Sequence, residues 1–193
     1  MCDWKYSAPQ KCVTIATFIL HDIQFRLYMV DGVTPLEKIQ FLNELKKVDL
    51  TEKAQQAIRV GGKAGRQESH KQALVELYLS FEDHFLEAVT CAFALYPAQV
   101  KKMRYKKDRV RMFKQHDIDY TQLDGSETAQ VLAQVVQAIH YDDAIVTHDL
   151  HDIFPFWKEG FPMVQFDNAY KLLSEDITIH YQAVLDRLIA SLK

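Results

Sequence analysis

The chain has 193 residues, 48 % of them hydrophobic, and a formal net charge of −3 at pH 7. This composition excludes disordered, collagenous and low-complexity proteins, and the length suits one domain with a substantial core. Three cysteines without a paired short spacing predict neither a disulfide framework nor a zinc knuckle, so we expect a protein of the reducing cytoplasm.

The first helix signals come early in the chain. Residues 13 to 30 place isoleucines four apart, which favours a helix, while their many β-branched side chains leave a strand open. The apolar run VTIATFIL within them is too short to span a bilayer, so we expect no membrane partner. Thr34, Pro35 and Glu37 then form a capping box with proline at the first helical position, which predicts a helix to about Lys47.

Two further signals precede the centre of the chain. Asp49 and Glu52 form a second capping box, which predicts a short helix that ends at Gly61 as a left-handed C-cap. The stretch from residue 61 to 66 is glycine-rich and basic, so a phosphate-binding loop has to be considered. It lacks the spacing and the Lys-Ser/Thr pair of a P-loop, and we expect a flexible connection between two helices.

The centre of the chain is typical of one long buried helix, from about residue 69 to 96. Leucine and phenylalanine recur every three or four positions on one face, and a second apolar line lies beside the first. A narrow polar strip remains, formed by Glu76, Ser80, Asp83, Glu87 and Thr90. A helix that is apolar over most of its circumference needs neighbours on several sides, and Pro97 is expected to end it.

Later signals complete the bundle. Residues 124 to 127 form a capping box for a helix that reaches about His140, and Asp167 is expected to cap a last helix over residues 168 to 192. The last helix keeps one face apolar, so it can pair with the central one. The sequence therefore predicts an all-α fold, with residues 1 to 193 as a single domain: a bundle of six or seven helices around the central helix.

A basic segment, residues 101 to 114, follows the central helix. It carries eight lysines and arginines against Asp108 alone, a net charge of +7, so the rest of the chain carries −10. A polyanion relieves such a cluster by releasing its own counterions, which indicates RNA or another nucleic acid as partner. The cations expected to contact it are Lys101, Lys102, Arg104, Lys106, Lys107 and Arg109, and Tyr105 and Phe113 are candidates for stacking on exposed bases.

Two matters stay open for this segment. Its charges are equally compatible with a solvated helix face, or with a face that pairs with the acidic remainder of the chain or with an acidic partner protein. Its apolar residues also alternate, as Met103 and Tyr105 do, so the spacing does not separate a helix from a hairpin.

Histidines and acids gather in the segment YDDAIVTHDLHDIFPFW, residues 141 to 157. His148, His151 and Asp152 fall within about one turn on a helix, and their imidazole and carboxylate groups suit zinc, iron or manganese, with Asp143 as a further ligand. Such histidines also occur as caps or in solvated turns. A divalent metal is expected only under this alternative, and otherwise we expect no cofactor.

Two short motifs resemble the apolar-His-Asp core of the HD phosphohydrolases, which are also all-helical. They are ILHDI at residues 19 to 23 and LHDI at residues 150 to 153. The resemblance implies a bound metal that activates water against a phosphoester. The ligands that it implies are His116, the pair His151 and Asp152, and Asp186.

Arg111 is followed after four residues by His116, which resembles the Arg-x4-6-His signature of the HEPN superfamily. These proteins are helical bundles that often cleave RNA without metal. The resemblance implies that His116 acts as acid or base at the ribose 2′-OH and that Arg111 stabilises the charged phosphorane, across the interface of a homodimer. Met112 stands where the family commonly has a polar residue.

A second match to the same signature is EDITIHY at residues 175 to 181. His180 aligns with the histidine, but Glu175 stands in place of the arginine, which implies an inactive site. The sequence therefore favours a HEPN-like, RNA-binding helical protein, with Arg111 and His116 as the catalytic residues of an endoribonuclease. The alternatives are an HD-type metal-dependent phosphohydrolase and a non-catalytic protein-interaction module.

Overall fold

The computed structural model describes residues 33–59 and 62–193. In these ranges the chain forms eight α-helices, α1 to α8, and one 3₁₀ turn at Tyr120–Gln122. The helix bounds are, in order, Pro35–Leu45, Glu52–Ala57, Lys63–Phe93, Pro97–Lys102, Lys106–Gln115, Thr128–Tyr141, His148–Ile153 and Phe166–Ser191. No strand forms in the described ranges, where one isolated bridge is the sole β pairing. The all-α prediction is confirmed, whereas the segment from residue 13 to 30 lies outside the described part.

Helix α3 is the centre of the bundle. Its 31 residues extend over about 46 Å, and it contacts α1, α2, α6 and α8. Leu74, Leu77, Phe81 and Phe85 of this helix have no exposed surface. The face of α8 that shares the same core contains Ile177, Tyr181, Val184 and Leu188. The predicted hub and its pairing with the last helix are confirmed.

The bounds of α3 differ from the prediction at both ends. Lys63 and Gly65 belong to its first turn, so the expected flexible connection is wrong for these residues. At the other end Ala94 adopts the left-handed conformation with φ of 52°, which terminates the helix. Pro97 is instead the first residue of α4, where its missing N–H is harmless. A left-handed C-cap, and not proline, therefore ends the central helix.

The polar strip expected along α3 is only partly exposed. Ser80 and Thr90 are buried, and so is Glu82, which the periodicity placed outside the strip. The Glu82 carboxylate accepts a hydrogen bond from the Tyr78 hydroxyl at 3.0 Å. Leu79 belongs to the second apolar line of the predicted helix and was expected in the core, but it is 36 % exposed. Periodicity divides a helix into faces, but the neighbouring helices decide which face is covered.

The start signal predicted for α1 is confirmed, whereas the capping box predicted for α2 is wrong: α2 begins after Thr51 with no side-chain cap. The Glu37 N–H donates to Thr34 Oγ1 at 3.3 Å, and the Thr34 N–H donates to the Glu37 carboxylate at 2.8 Å, which completes the capping box. Before α2, the Asp49 carboxylate accepts from the Thr51 N–H and hydroxyl. Helix α2 ends before Gly61, which lies outside the described residues.

The caps predicted for α6 and α8 are wrong. Helix α6 begins after Glu127 with no side-chain cap, and the Asp124 carbonyl instead accepts from His180 Nδ1 at 2.8 Å. Asp167 lies inside the first turn of α8, where its carboxylate accepts from Gln67 Nε2 at 2.9 Å. Both residues bind distant parts of the chain, which a local pattern does not show.

Helices α3 and α8 are long enough to cross a bilayer by their length alone. Both carry charged side chains along their course, such as Glu76 and Glu87 in α3 and Glu175 and Asp186 in α8. Within residues 33–59 and 62–193, no helix is therefore both long and apolar enough to span a membrane.

Gly125 lies in the turn before α6 with φ of 66°, a conformation that disfavours a β-carbon. A β-carbon there would lie 2.9 Å from both the Asp176 carbonyl oxygen and the His180 Cβ. We expect Gly125→Ala to lower the free energy of unfolding in urea by about 3 kcal/mol, because backbone strain and overpacking add.

The matched control for this change is Gly160→Ala. Gly160 also has a positive φ, 74°, but nothing lies within 4 Å of the position its β-carbon would take. Only the backbone strain remains, so the expected loss is about 1 kcal/mol. Equal losses in the two variants would contradict the proposed role of the close contact with α8.

Candidate nucleic-acid interface

The basic segment is helical, since it spans the end of α4, a short turn and nearly all of α5. Val100, Met103 and Phe113 fix it to the core, and all three are buried. The Phe113 ring centroid lies 5.2 Å from that of Phe93, edge-on, and 6.2 Å from that of Phe85. These contacts hold α4 and α5 against the end of α3. Because Phe113 is enclosed, its expected stacking on bases is wrong.

Seven of the eight cations in the segment are exposed. They are Lys101, Lys102, Arg104, Lys106, Lys107, Arg111 and Lys114, and we call them the basic face. On α5, Lys107, Arg111 and Lys114 follow one another after four and three residues, so they share one side of the helix. Consecutive members of this row are about 6 and about 4.5 Å apart along the helix axis.

Arg109 is the exception, because only 4 % of it is exposed. Its guanidinium donates to the backbone carbonyls of Met103 at 2.5 Å and of Arg104 at 3.3 Å. Its Cζ also lies 4.9 Å from the centroid of the Phe85 ring, within the range of a cation–π contact. Arg109 therefore closes the turn between α4 and α5 and lies away from the surface on which nucleic acid was expected.

The charges of the basic face are only partly compensated. Two cations have a carboxylate partner, Arg104 with Glu82 at 3.7 Å and Arg111 with Asp108 at 2.6 Å. Lys106 donates to the neutral side-chain amide of Gln130 at 2.7 Å. Five of the seven cations have no carboxylate of the described residues within 4 Å: Lys101, Lys102, Lys106, Lys107 and Lys114. In the described part of the chain, acidic residues therefore neutralise only a small part of the charge of the basic face, and most of it faces solvent.

The two residues of the predicted catalytic pair are both exposed. Arg111 pairs with an aspartate one turn earlier on α5, as described above. His116 follows the last residue of α5 and stacks on Phe93, with ring centroids 3.9 Å apart and an interplanar angle of 6°. Burial against its neighbours is the main cause that lowers the pKa of His116. Each side chain has its own partner, and a joint catalytic role stays a prediction.

The predicted metal ligands on α7 are engaged in other bonds. His148 Nδ1 lies 3.2 Å from the Glu159 carboxylate, and its Nε2 lies 3.4 Å from Asp152. The hydrogen bond to Glu159 is the main cause that raises the pKa of His148. His151 Nδ1 bonds to the Trp157 carbonyl at 2.8 Å, which pins the loop after α7.

The wider ligand set implied by the HD resemblance is dispersed over the bundle. His116 lies at the end of α5, whereas Asp186 lies on α8 and pairs with Lys46. Asp143, which was predicted as a further ligand beside His148, His151 and Asp152, occupies the turn after α6 with φ of 52°. Among the residues that the structure describes, no three His, Cys, Asp or Glu side chains are placed to bind one metal ion.

No protein-family model, curated protein or solved structure matches this chain significantly. The HEPN and HD resemblances therefore rest on their short motifs alone, and both stay predictions.

The sequence did not predict a buried polar cluster of Tyr120, His180 and the Asp124 carbonyl. His180 of α8 has no exposed surface, its Nε2 accepts from the Tyr120 hydroxyl at 2.8 Å, and its Nδ1 donates to the Asp124 carbonyl at 2.8 Å. Burial lowers the pKa of His180 to about 4. Because His180 is enclosed, it has a structural role. The histidine of the second HEPN match therefore lies in the core and not at a surface.

Proposed function

We propose that the basic face binds RNA as a polyanion. One observation carries this: seven exposed cations lie on two neighbouring short helices and the turn between them, and five of these cations have no carboxylate partner among the described residues. Phosphates can approach these cations without first displacing a salt bridge. Binding is driven by the release of counterions from the nucleic acid.

The packing that holds the basic face in place also suits a binding surface. The buried residues Met103, Arg109 and Phe113 hold α4 and α5 in place, so the cations are arranged before any ligand arrives. Pre-ordered groups bind with a smaller loss of conformational freedom than groups on a free tail. The net charge of −10 on the rest of the chain disfavours binding elsewhere and orients the basic face toward an approaching polyanion.

The decisive experiment changes four lysines of the basic face to glutamine: Lys101, Lys102, Lys107 and Lys114. We expect the affinity for a single-stranded oligoribonucleotide at low salt to fall by about 100-fold, because up to four phosphate contacts are lost. The slope of log K against log salt should become smaller by up to about 3. Fluorescence anisotropy at several salt concentrations measures both quantities.

The matched control removes four other exposed lysines: Lys47, Lys53, Lys171 and Lys193. This control has the same net charge as the variant of the basic face. It should keep most of the wild-type affinity if the position of the cations, and not the total charge, determines binding. Wild-type protein that binds no RNA at low salt would overturn the proposal. The RNA recovered from the same mixtures is also checked for length, since shortening that requires Arg111 and His116 would add cleavage to binding.

A further inference from the structure

Tyr105 lies in the turn between α4 and α5 and is 68 % exposed. Among the described residues its hydroxyl has no hydrogen-bond partner and its ring makes no aromatic or cation–π contact. Tyr78, Tyr120 and Tyr181, in contrast, use their hydroxyls in bonds to Glu82, to His180 and to the Leu45 carbonyl. Tyr105 is therefore not explained by the packing of the bundle.

Tyr105 is not explained by helix capping either. It occupies the N-cap position of α5, but only its backbone carbonyl contributes, by accepting from the N–H groups of Asp108 and Arg109 at 3.0 Å. A serine, threonine or aspartate would also satisfy an N–H group with its side chain. An exposed aromatic ring at this position thus serves neither the core nor the helix end.

The surroundings of Tyr105 point to a ligand. Lys101 and Lys102 precede it at the end of α4, and Lys106 and Lys107 follow it in the first turn of α5. A flat ring with cations on both sides along the chain matches a single strand, whose bases can stack while its phosphates meet lysines. Bases of a duplex are already stacked on each other and do not offer their faces to such a ring.

We propose that Tyr105 is a stacking platform for an unpaired base, which makes the basic face prefer single-stranded RNA over duplex RNA. This inference rests on the proposed RNA binding and specifies its substrate. The cations bind the phosphates of either form, and the ring adds an interaction that only the single strand can make.

The test compares three probes by fluorescence anisotropy: a single-stranded oligouridylate, an RNA duplex of equal length, and heparin, which has no bases. We expect Tyr105→Leu to weaken oligouridylate binding about tenfold, the effect of one lost stacking contact. Heparin binding and the salt slope should not change, because the cations remain. Tyr105→Phe should bind like the wild type, because it retains the ring.

Tyr141→Leu is the matched control. Tyr141 is 75 % exposed at the end of α6, while Lys106 contacts Gln130 near the start of that helix. The eleven intervening steps place Tyr141 about 16 Å from that contact along the axis, so its loss should leave oligouridylate binding unchanged.

Each outcome separates this inference from the proposed function. If Tyr105→Leu binds oligouridylate as well as the wild type does, or if the wild type binds the duplex as tightly as the single strand, the stacking platform is overturned while RNA binding stands. If the wild type binds neither RNA nor heparin at low salt, the basic face itself is not a polyanion site, and both proposals are overturned.

Discussion

Arg109→Ala is expected to lower the free energy of unfolding by about 4 kcal/mol. The change removes two hydrogen bonds from a charged donor, to Met103 and Arg104, and the cation–π contact with Phe85. Hydrogen bonds to charged groups contribute about 1.5 to 3 kcal/mol each, and a desolvated cation–π contact adds about 1 to 2. Removing the charge also relieves its desolvation, which offsets part of the sum.

Thermal denaturation followed by circular dichroism measures this loss. For a chain of this length, about 4 kcal/mol corresponds to a fall in Tm of about 12 °C. The matched control is Arg111→Ala, two residues further along α5. Arg111 is exposed and pairs only with Asp108, so its loss should change stability by about 0.5 kcal/mol or less. Similar effects of the two changes would contradict the structural role assigned to Arg109.

The second large effect is a loss of stability in acid caused by His180. Its pKa in the folded protein is about 4, compared with an ordinary value of 6.5, because the ring is buried. The unfolded chain therefore binds a proton as the pH falls below 6.5, while the folded protein stays neutral at this position. The contribution of His180 to stability is complete above that pH, and about 3 kcal/mol is lost on the way to pH 4.

Urea denaturation of wild type and His180→Gln at several pH values between 7 and 4 checks this expectation. The variant should be less stable at pH 7, because Tyr120 and the Asp124 carbonyl lose their partner, but its stability should fall less as the pH is lowered. Carboxylates with lowered pKa, such as Glu37 and Asp167, contribute to both proteins and cancel in the comparison.

His148→Gln is the control for this experiment. The pKa of His148 is raised, chiefly by its hydrogen bond to Glu159, so its contribution is present in acid and is lost as the pH rises. Removing it should not flatten the acid dependence. If His180→Gln keeps the full pH dependence of the wild type, the enclosed histidine is not its source.

Local signals predicted the helices well. The capping box of Thr34 and Glu37 and the apolar periodicity of the central helix depend on neighbours three or four residues apart, so they can be found in the sequence. The ends were less predictable. Ala94 takes a left-handed conformation that glycine usually adopts, and Asp167 bonds to a residue on another helix.

The candidate site was predicted as a segment but not as a surface. Arg109 and Arg111 contribute equally to the net charge of the segment, yet Arg109 is buried and Arg111 is exposed. One available signal was that Arg109 lies four residues before Phe113, on the same side of α5 as this apolar anchor. Tyr105 and Phe113 were likewise treated as equivalent aromatic residues, and only Tyr105 faces solvent.

The order of residues alone predicted an all-α fold, with a long apolar helix at its centre and a concentration of positive charge after it. Both properties are local, since they depend on spacing and composition over a few turns. Tertiary structure alone decided which cations meet water, which arginine closes a turn and which histidine is enclosed. Burial depends on contacts between residues that are far apart in the chain. Tyr120 and His180, for example, are 60 residues apart. A local sequence pattern does not predict such contacts.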